Sequence, residues 1–479
     1  MIAATLPGGL TLPGLVRTLR QVGPTVLLLA GIAALSVAGI SAARLLFIAG
    51  CAAVAWDALR QGARAHYAVS FVLFCTAPFL RRLVDVYAGY EASGLMLSGP
   101  MLAILVPVPR LVTQTGFEPA LRPFVLAAAC AFYATVLTLA DGSFTLAASG
   151  ALKWFAPILY GMWLFGEARR DPELIEPAVR VLMLLMPVLG IYGFVQYLDP
   201  PVWDRYWMNY TTIASIGQPE PFMVRVFSTM NAPAGYATFT AAALLLFGFR
   251  RARLGLLLAA APSVLGLLLS LYRTAWVALA IGLIAGLLHP RTRGRSALML
   301  AAVVVLGAAA MVLTPAGEMF AERLQTLGSV GEDESGQERL AEYSALLQAD
   351  GGTLLGHGFE NTDVMQAGAL ALDGQLVVSW FTMGLVVGLL CVTAVCWAGV
   401  QAVGAAWRSP SLSGVAISLV MVGALAQVPL ATVSSSEIGF LFWSLAAVGA
   451  AMRVGSRPAV RHHPGARSWP KLLNTSADA

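Results

Sequence analysis

Apolar residues in this chain neither alternate with the period of a strand nor recur every third or fourth position, as on a surface helix. They run unbroken for long stretches and stop at short clusters of arginine, glycine and proline. A helix needs about 20 such residues to cross the hydrocarbon of a bilayer, and it satisfies its own backbone hydrogen bonds there. The runs predict helices at 22–40, 42–58, 66–83, 93–109, 122–140, 145–166, 175–198, 232–249, 253–270, 273–289, 296–314, 378–403, 412–430 and 435–453. The fold class is therefore an all-α polytopic membrane protein with about 14 transmembrane helices, in the range 12–14. Arg81-Arg82 ends one of the two weaker windows, and Ser98-Gly99-Pro100 interrupts the other. Arg17 and Arg20 precede a first run that is long for a secretory signal and directly followed by a second, so it reads as an uncleaved helix.

The polar stretches between windows set the sidedness. A cytoplasmic N-terminus puts Arg250-Arg251-Arg253, Arg291-Arg293-Arg295 and Arg453-Arg457-Arg461-Arg467 in cytoplasmic loops or the tail, as the positive-inside rule requires. Both termini are then cytoplasmic, and most acids fall outside. The organisation that follows is a transmembrane bundle over 1–314 with an outer loop at about 199–231, a periplasmic capping loop over 315–377, C-terminal transmembrane helices over 378–453, and a basic tail over 454–479 read as disordered. In the capping loop Leu340, Tyr343, Leu346 and Leu347 form one apolar stripe ahead of Gly351-Gly352, and 319–327 is similarly amphipathic. Two or three short capping helices are expected. Trp203, Tyr206, Trp207 and Tyr210 in the first outer loop read as anchors at headgroup level.

Composition narrows the function classes. The chain is 58% hydrophobic and 11% charged, with a mean hydropathy of +0.76, which excludes a soluble globule. The net charge of +5 is spread over short loops, so it reads as a topology signal and not as a nucleic-acid surface. All five cysteines lie in apolar runs without metal-site spacing, and no Walker loop, dinucleotide fingerprint or serine elbow stands in a fitting context. No metal and no cofactor is expected. Lys153 and Lys471 are the only lysines.

Chemistry is sought among the arginines that the positive-inside rule does not explain: Arg44, Arg81, Arg82, Arg205, Arg225, Arg273, Arg323 and Arg339. A guanidinium at a helix end either snorkels to headgroups or serves function. Several on one outer cavity would suit a diphosphate, because the planar fork pairs bidentately with phosphate oxygens and keeps its proton. The outer acid and base candidates are Asp373, His357, Glu338 and Asp363. Asp373 stands out, just before the span that starts near Val377, whereas Glu332-Asp333-Glu334 reads as a solvated surface.

Over about residues 180–400 the chain resembles the O-antigen ligase and Wzy-type O-antigen polymerase superfamily of bacterial membrane glycosyltransferases. Four segments carry the resemblance. Arg225-Val-Phe-Ser-Thr-Met-Asn231-Ala-Pro-Ala-Gly235 is similar to an arginine, small-residue turn and Asn-Pro motif ahead of a span. Ser270-Leu-Tyr-Arg273-Thr-Ala-Trp276 resembles a Ser-Arg-aromatic signature. Gln337-Glu-Arg339 through Tyr343, followed by Leu354-Leu-Gly356-His-Gly358, resembles the family's outer-loop pattern. Asp373-Gly-Gln-Leu376 with Gly384-Leu-Val-Val-Gly388 resembles the His-Asn or Asp-Asn motif that re-enters the membrane.

The resemblance implies a GT-C-like bundle in the bacterial inner membrane and a metal-independent glycosyltransferase acting on its periplasmic face. The donor would be an undecaprenyl-diphosphate-linked oligosaccharide, and other polysaccharide assembly proteins are implied as partners alongside the lipid bilayer, with no nucleic acid. Arg225, Arg273 and Arg339 would contact the diphosphate, with Arg81 and Arg82 as helpers, and Asp373 would position or deprotonate the acceptor hydroxyl. Tyr272, Trp276, Tyr343 and His357 would line the sugar path, although core packing is an equal reading for the three aromatics. Family ligases carry His where this chain has Asp373, and Gly374 replaces an Asn, which points to a Wzy-type polymerase extending a surface polysaccharide or exopolysaccharide. The alternatives are ligase-type transfer to lipid A core or another acceptor, and a lipid-linked-glycan flippase or secondary transporter. A transporter usually carries ionisable groups at mid-membrane, where most spans here are bare of charge.

Overall fold

A computed structural model describes residues 12–113, 118–249, 254–313, 352–359 and 374–452. Within them the chain is helical, the one exception in pairing being an isolated antiparallel bridge between Gly217 and Val224. The helices are α1 (Leu12–Val37), α2 (Ala43–Gln61), α3 (Ala63–Ala88), α4 (Ser98–Leu105), α5 (Arg122–Ala140), α6 (Phe144–Arg170), α7 (Glu176–Leu198) and α8 (Val202–Tyr210). After these come α9 (Pro233–Gly248), α10 (Leu254–Leu269), α11 (Arg273–Leu288), α12 (Arg293–Leu313), the single turn α13 (Gly352–Leu355), α14 (Gln375–Trp407), α15 (Leu412–Gln427) and α16 (Ser436–Ala451). Among the described residues, five segments are helical, long and apolar enough to cross a membrane: Val16–Val37, Leu95–Thr113, Pro119–Ala140, Glu176–Leu198 and Gln375–Trp407. The rest of the apolar windows fall on shorter or more polar helices. The window 93–109 is broken as the sequence suggests, into α4 flanked by 3-10 turns at Leu95–Leu97 and Val108–Thr113.

Helix ends follow from local chemistry. α9 starts on Pro233, whose missing N–H costs nothing at a first helical position, and Ser411 caps α15 by accepting the amide of Gly414 at 3.0 Å. Side-chain size then sets the packing. α6 lies close against α16 because Gly161 has no Cβ; one built there would sit 2.8 Å from the carbonyl oxygen of Trp443. α9 is the central helix. Fourteen of its 16 residues are buried, and it packs against α7, α10, α11, α15 and α16.

Contacts tie the loops into two groups, one at each end of the bundle. At the first end Arg64 pairs with Asp171, Arg169 with Glu118, Ser413 donates to Glu176, and Arg291 donates to the carbonyl of Pro410 at 2.9 Å. At the second end Arg44 meets Asp85 at 2.9 Å, the amide of Val226 donates to the carbonyl of Leu269 at 3.0 Å, and Gln375 accepts from the amide of Val433 at 3.0 Å. These partners are the loops that the up-and-down order of the apolar windows places on a common side.

α14 is broken at Gly384, whose φ of 78° and ψ of 170° are essentially closed to other residues. The carbonyls freed by the break are taken up by the segment after α13: the amide of His357 donates to Phe381 and that of Gly358 to Thr382, each at 2.9 Å. The amide of Phe359 continues this docking onto the Thr138 hydroxyl of α5, at 2.8 Å.

Candidate functional site

The candidate site is the second end of the bundle, around the start of α9. The approach to α9, from Arg225 to Asn231, is held from three sides. Arg82, fully buried on α3, donates to the carbonyls of Ser228 and Met230. Gln196 of α7 accepts the amides of Phe227 at 3.1 Å and Ser228 at 2.9 Å. On the α10 side, the bond from Val226 to Leu269 lays the Arg225 segment along the turn that carries Arg273.

Among the described residues, four non-glycine residues have a positive φ: Phe222 (63°), Ser228 (50°), Leu271 (52°) and Ser436 (56°). All four lie at this end. Phe222 and Ser228 flank Arg225, Leu271 precedes Tyr272-Arg273, and Ser436 precedes Glu437. Such backbone costs about 1–3 kcal/mol per residue and persists only where surrounding contacts over-determine it, most often at functional sites. The contacts are present. Arg82 and Gln196 fix Ser228; Ser270, donating to Leu267 at 2.6 Å, and the Trp276 indole, donating to the same carbonyl at 3.0 Å, fix the Leu271 turn. Gln375 accepts from Val433 and Ser434, at 3.0 and 3.2 Å, just before Ser436.

The residues singled out from sequence fall into three groups. Arg225, Arg273, Tyr272 and Trp276 come together at this end, half-buried, with Arg273 opening α11. Trp276 is also a packing residue, partly buried against the core. Arg81 and Arg82 are occupied within the protein. Arg82 sits 2.8 Å from Asp204, both side chains unexposed, with its guanidinium 4.9 Å from the Phe227 ring. Asp204 also accepts from Tyr192 and Gln196, each at 2.7 Å. Arg81 donates to the carbonyl of Glu91 at 2.7 Å and lies 3.4 Å from Asp85, which it shares with Arg44. These two arginines brace the site instead of facing a ligand. His357 lies beside the α14 break, its ring stacked at 4.8 Å on Phe381. Arg339, Tyr343 and Asp373, like Glu338, Asp363, Arg323 and most of the expected cap, lie outside the described residues.

One aromatic of the outer loop, Trp207, departs from the anchoring expectation, while Trp203 and Tyr206 are half-buried and Tyr210 is exposed. Trp207 of α8 is fully buried and packs with Met208, Ile216, Val224 and Phe227 in a small core of its own, and Tyr210 stacks on Tyr90 at 5.4 Å. These rings hold the Arg225 segment in place. Gln196, Asp204, Gln375 and Glu437 belong to the site and were not singled out from sequence. Asp204 and Glu437 were detectable as acids at the edges of apolar segments; the two glutamines leave no such signal.

Beneath Arg273 an apolar groove of about 430 Å³ runs between α10, α11 and α12, lined by Leu267, Leu268, Trp276, Leu283, Val303 and Val304 among others. Among the described residues no group of three His, Cys, Asp or Glu side chains is arranged to hold a metal ion. No protein-family model matches the chain, and no curated protein matches it.

Proposed function

We propose that the protein is a membrane glycosyltransferase that polymerises undecaprenyl-diphosphate-linked oligosaccharide units into a surface polysaccharide or exopolysaccharide, in the manner of a Wzy-type polymerase. The observation that carries this reading is the Val226–Leu269 backbone bond, which joins the Arg225 segment to the Arg273 turn directly above the apolar groove. Cationic residues over an apolar slot match a lipid diphosphate, with charge at the mouth and an isoprenoid chain below. Fixed guanidinium groups stabilise a departing diphosphate without a metal, because they are in position before the charge develops.

In this reading about 14 helices cross the inner membrane of a bacterium in a GT-C-like bundle, both termini are cytoplasmic, and the second end of the bundle faces the periplasm. Arg225, Arg273 and Arg339 contact the diphosphate, and Asp373 positions or deprotonates the acceptor hydroxyl. Purified protein in nanodiscs, given its host's undecaprenyl-diphosphate-linked oligosaccharide without ATP, is expected to produce a ladder of multiples and released undecaprenyl diphosphate. Transfer only when a separate acceptor is supplied would replace polymerase by ligase. Intact substrate under both conditions would remove the enzyme reading in favour of transport.

A further inference from the structure

We propose that Glu437 is the general base of this site, the carboxylate that takes the proton of the acceptor sugar's hydroxyl; the inference rests on the glycosyltransferase reading above. Glu437 is half-buried in the first turn of α16, directly after the left-handed Ser436. Its Oε1 faces the start of α9 so closely that a Cβ at Gly235 would lie 3.1 Å from it, and the Met230 methyl group reaches the same point from the Arg225 segment at 3.4 Å. Glu437 therefore adjoins the strand of chain that runs from Arg225 through Asn231 to Gly235. Glycine at 235 is what leaves room for the carboxylate.

The other acids at this end, among the described residues, are committed elsewhere. Asp85, Asp199 and Asp204 are paired with arginines. Glu91 accepts from Ser93 and Leu95 in its own turn, and Asp141 and Glu220 lie on the exposed surface. Among the described residues Glu437 makes no salt bridge, and the one cation whose field reaches it is Lys153 of α6. α14 and α15 bring no charged residue to this end, and the Tyr236 hydroxyl of α9 points away, toward Gly266. A carboxylate held by backbone geometry but unengaged by an arginine is free to accept a proton.

The step balances as follows. A Glu437 carboxylate oxygen takes the hydroxyl proton as that oxygen bonds to the donor's anomeric carbon. The anomeric carbon–oxygen bond to the diphosphate breaks, and undecaprenyl diphosphate leaves with the bonding electrons, its charge met by the arginines. The neutral Glu437 then returns its proton to water.

The test follows undecaprenyl diphosphate release from the nanodisc enzyme across pH, together with affinity for undecaprenyl diphosphate itself. Glu437→Gln is expected to lower kcat by about 100-fold or more, to leave undecaprenyl diphosphate binding intact, and to abolish the rise of activity with pH on the acid limb. Glu437→Asp should keep part of the activity and the acid limb. A Gln variant with near wild-type kcat, or an unchanged acid limb, overturns the proposal. If the Gln variant does not fold, Gly235→Ala takes its place: its methyl group pressed against Oε1 should lower kcat and displace the acid limb, and an unaltered profile overturns the proposal equally. An inert wild-type enzyme would instead bring down the glycosyltransferase reading, and this inference with it.

Discussion

Arg82 and Asp204 meet at 2.8 Å with neither side chain exposed, one from α3 and the other from α8. The pair is the keystone of the Arg225 segment, because the same guanidinium carries the carbonyls of Ser228 and Met230 while the same carboxylate holds Gln196, which in turn holds two amides of that segment. Removing one member of a buried pair leaves an uncompensated charge and costs about 3–5 kcal/mol. Asp204→Asn and Arg82→Met are each expected to lower the unfolding midpoint in detergent strongly, and Arg82→Met with Asp204→Leu to recover part of the loss. A double variant no more stable than the worse single variant would refute the pairing.

Arg273→Lys separates charge from geometry. Lysine keeps the positive charge and loses the bidentate fork. Under the proposed function, glycan synthesis falls by at least about tenfold, or about 1.4 kcal/mol of transition-state stabilisation, with little change in the unfolding midpoint. Wild-type synthesis by this variant would remove Arg273 from the diphosphate site.

The break in α14 makes its own prediction. Alanine at 384 would adopt a conformation almost reserved for glycine and place a methyl group 2.2 Å from the Leu354 carbonyl oxygen. Gly384→Ala should therefore destabilise by at least about 1–3 kcal/mol. Gly404→Ala in the same helix, where a Cβ meets nothing within 4 Å, should be neutral or slightly stabilising. Equal thermal shifts for the two variants would contradict the geometry.

At the opposite end the Arg64 guanidinium, bonded to both carboxylate oxygens of Asp171, holds that carboxyl below its usual range. A carboxyl lowered on folding contributes stability that is complete above its unfolded value of about 3.9 and is lost as the pH falls through the folded value. Asp171→Asn should thus lower the unfolding midpoint at neutral pH, and the gap from wild type should close as the pH drops below about 4. A gap that persists there would show that the contact contributes by packing and not by charge.

The helical class was legible because uninterrupted apolar runs favour helices, and the loops that touch in space are ones that the order of the runs groups together, whereas helix length was less so, since only five described segments are long and apolar enough to cross a membrane. The positions of Arg225 and Arg273 beside helix ends were legible because the positive-inside rule leaves these arginines over, whereas Tyr272 and Trp276 stood out only through the resemblance. The role of Arg82 was not legible, since sequence shows a cation at a membrane edge but not the aspartate that α8 folds back over it. Trp207 carries the same signal as an interfacial anchor, and only its burial against Phe227 tells the two apart. Glu437 carried the signal of a lone acid at the edge of its window, 435–453, whereas uncharged Gln375 carries none beside Asp373.

The amides of His357, Gly358 and Phe359 pin the connection between α12 and α14 to the bundle at an interior point. Three consecutive residues are thereby held by two different helices at once, the broken α14 and the neighbouring α5. A point tied in this way divides the closure entropy of the connection into two terms, each of which grows only logarithmically with length. The staple therefore makes the Gly384 break a joint between α5 and α14 as well as an interruption within one helix.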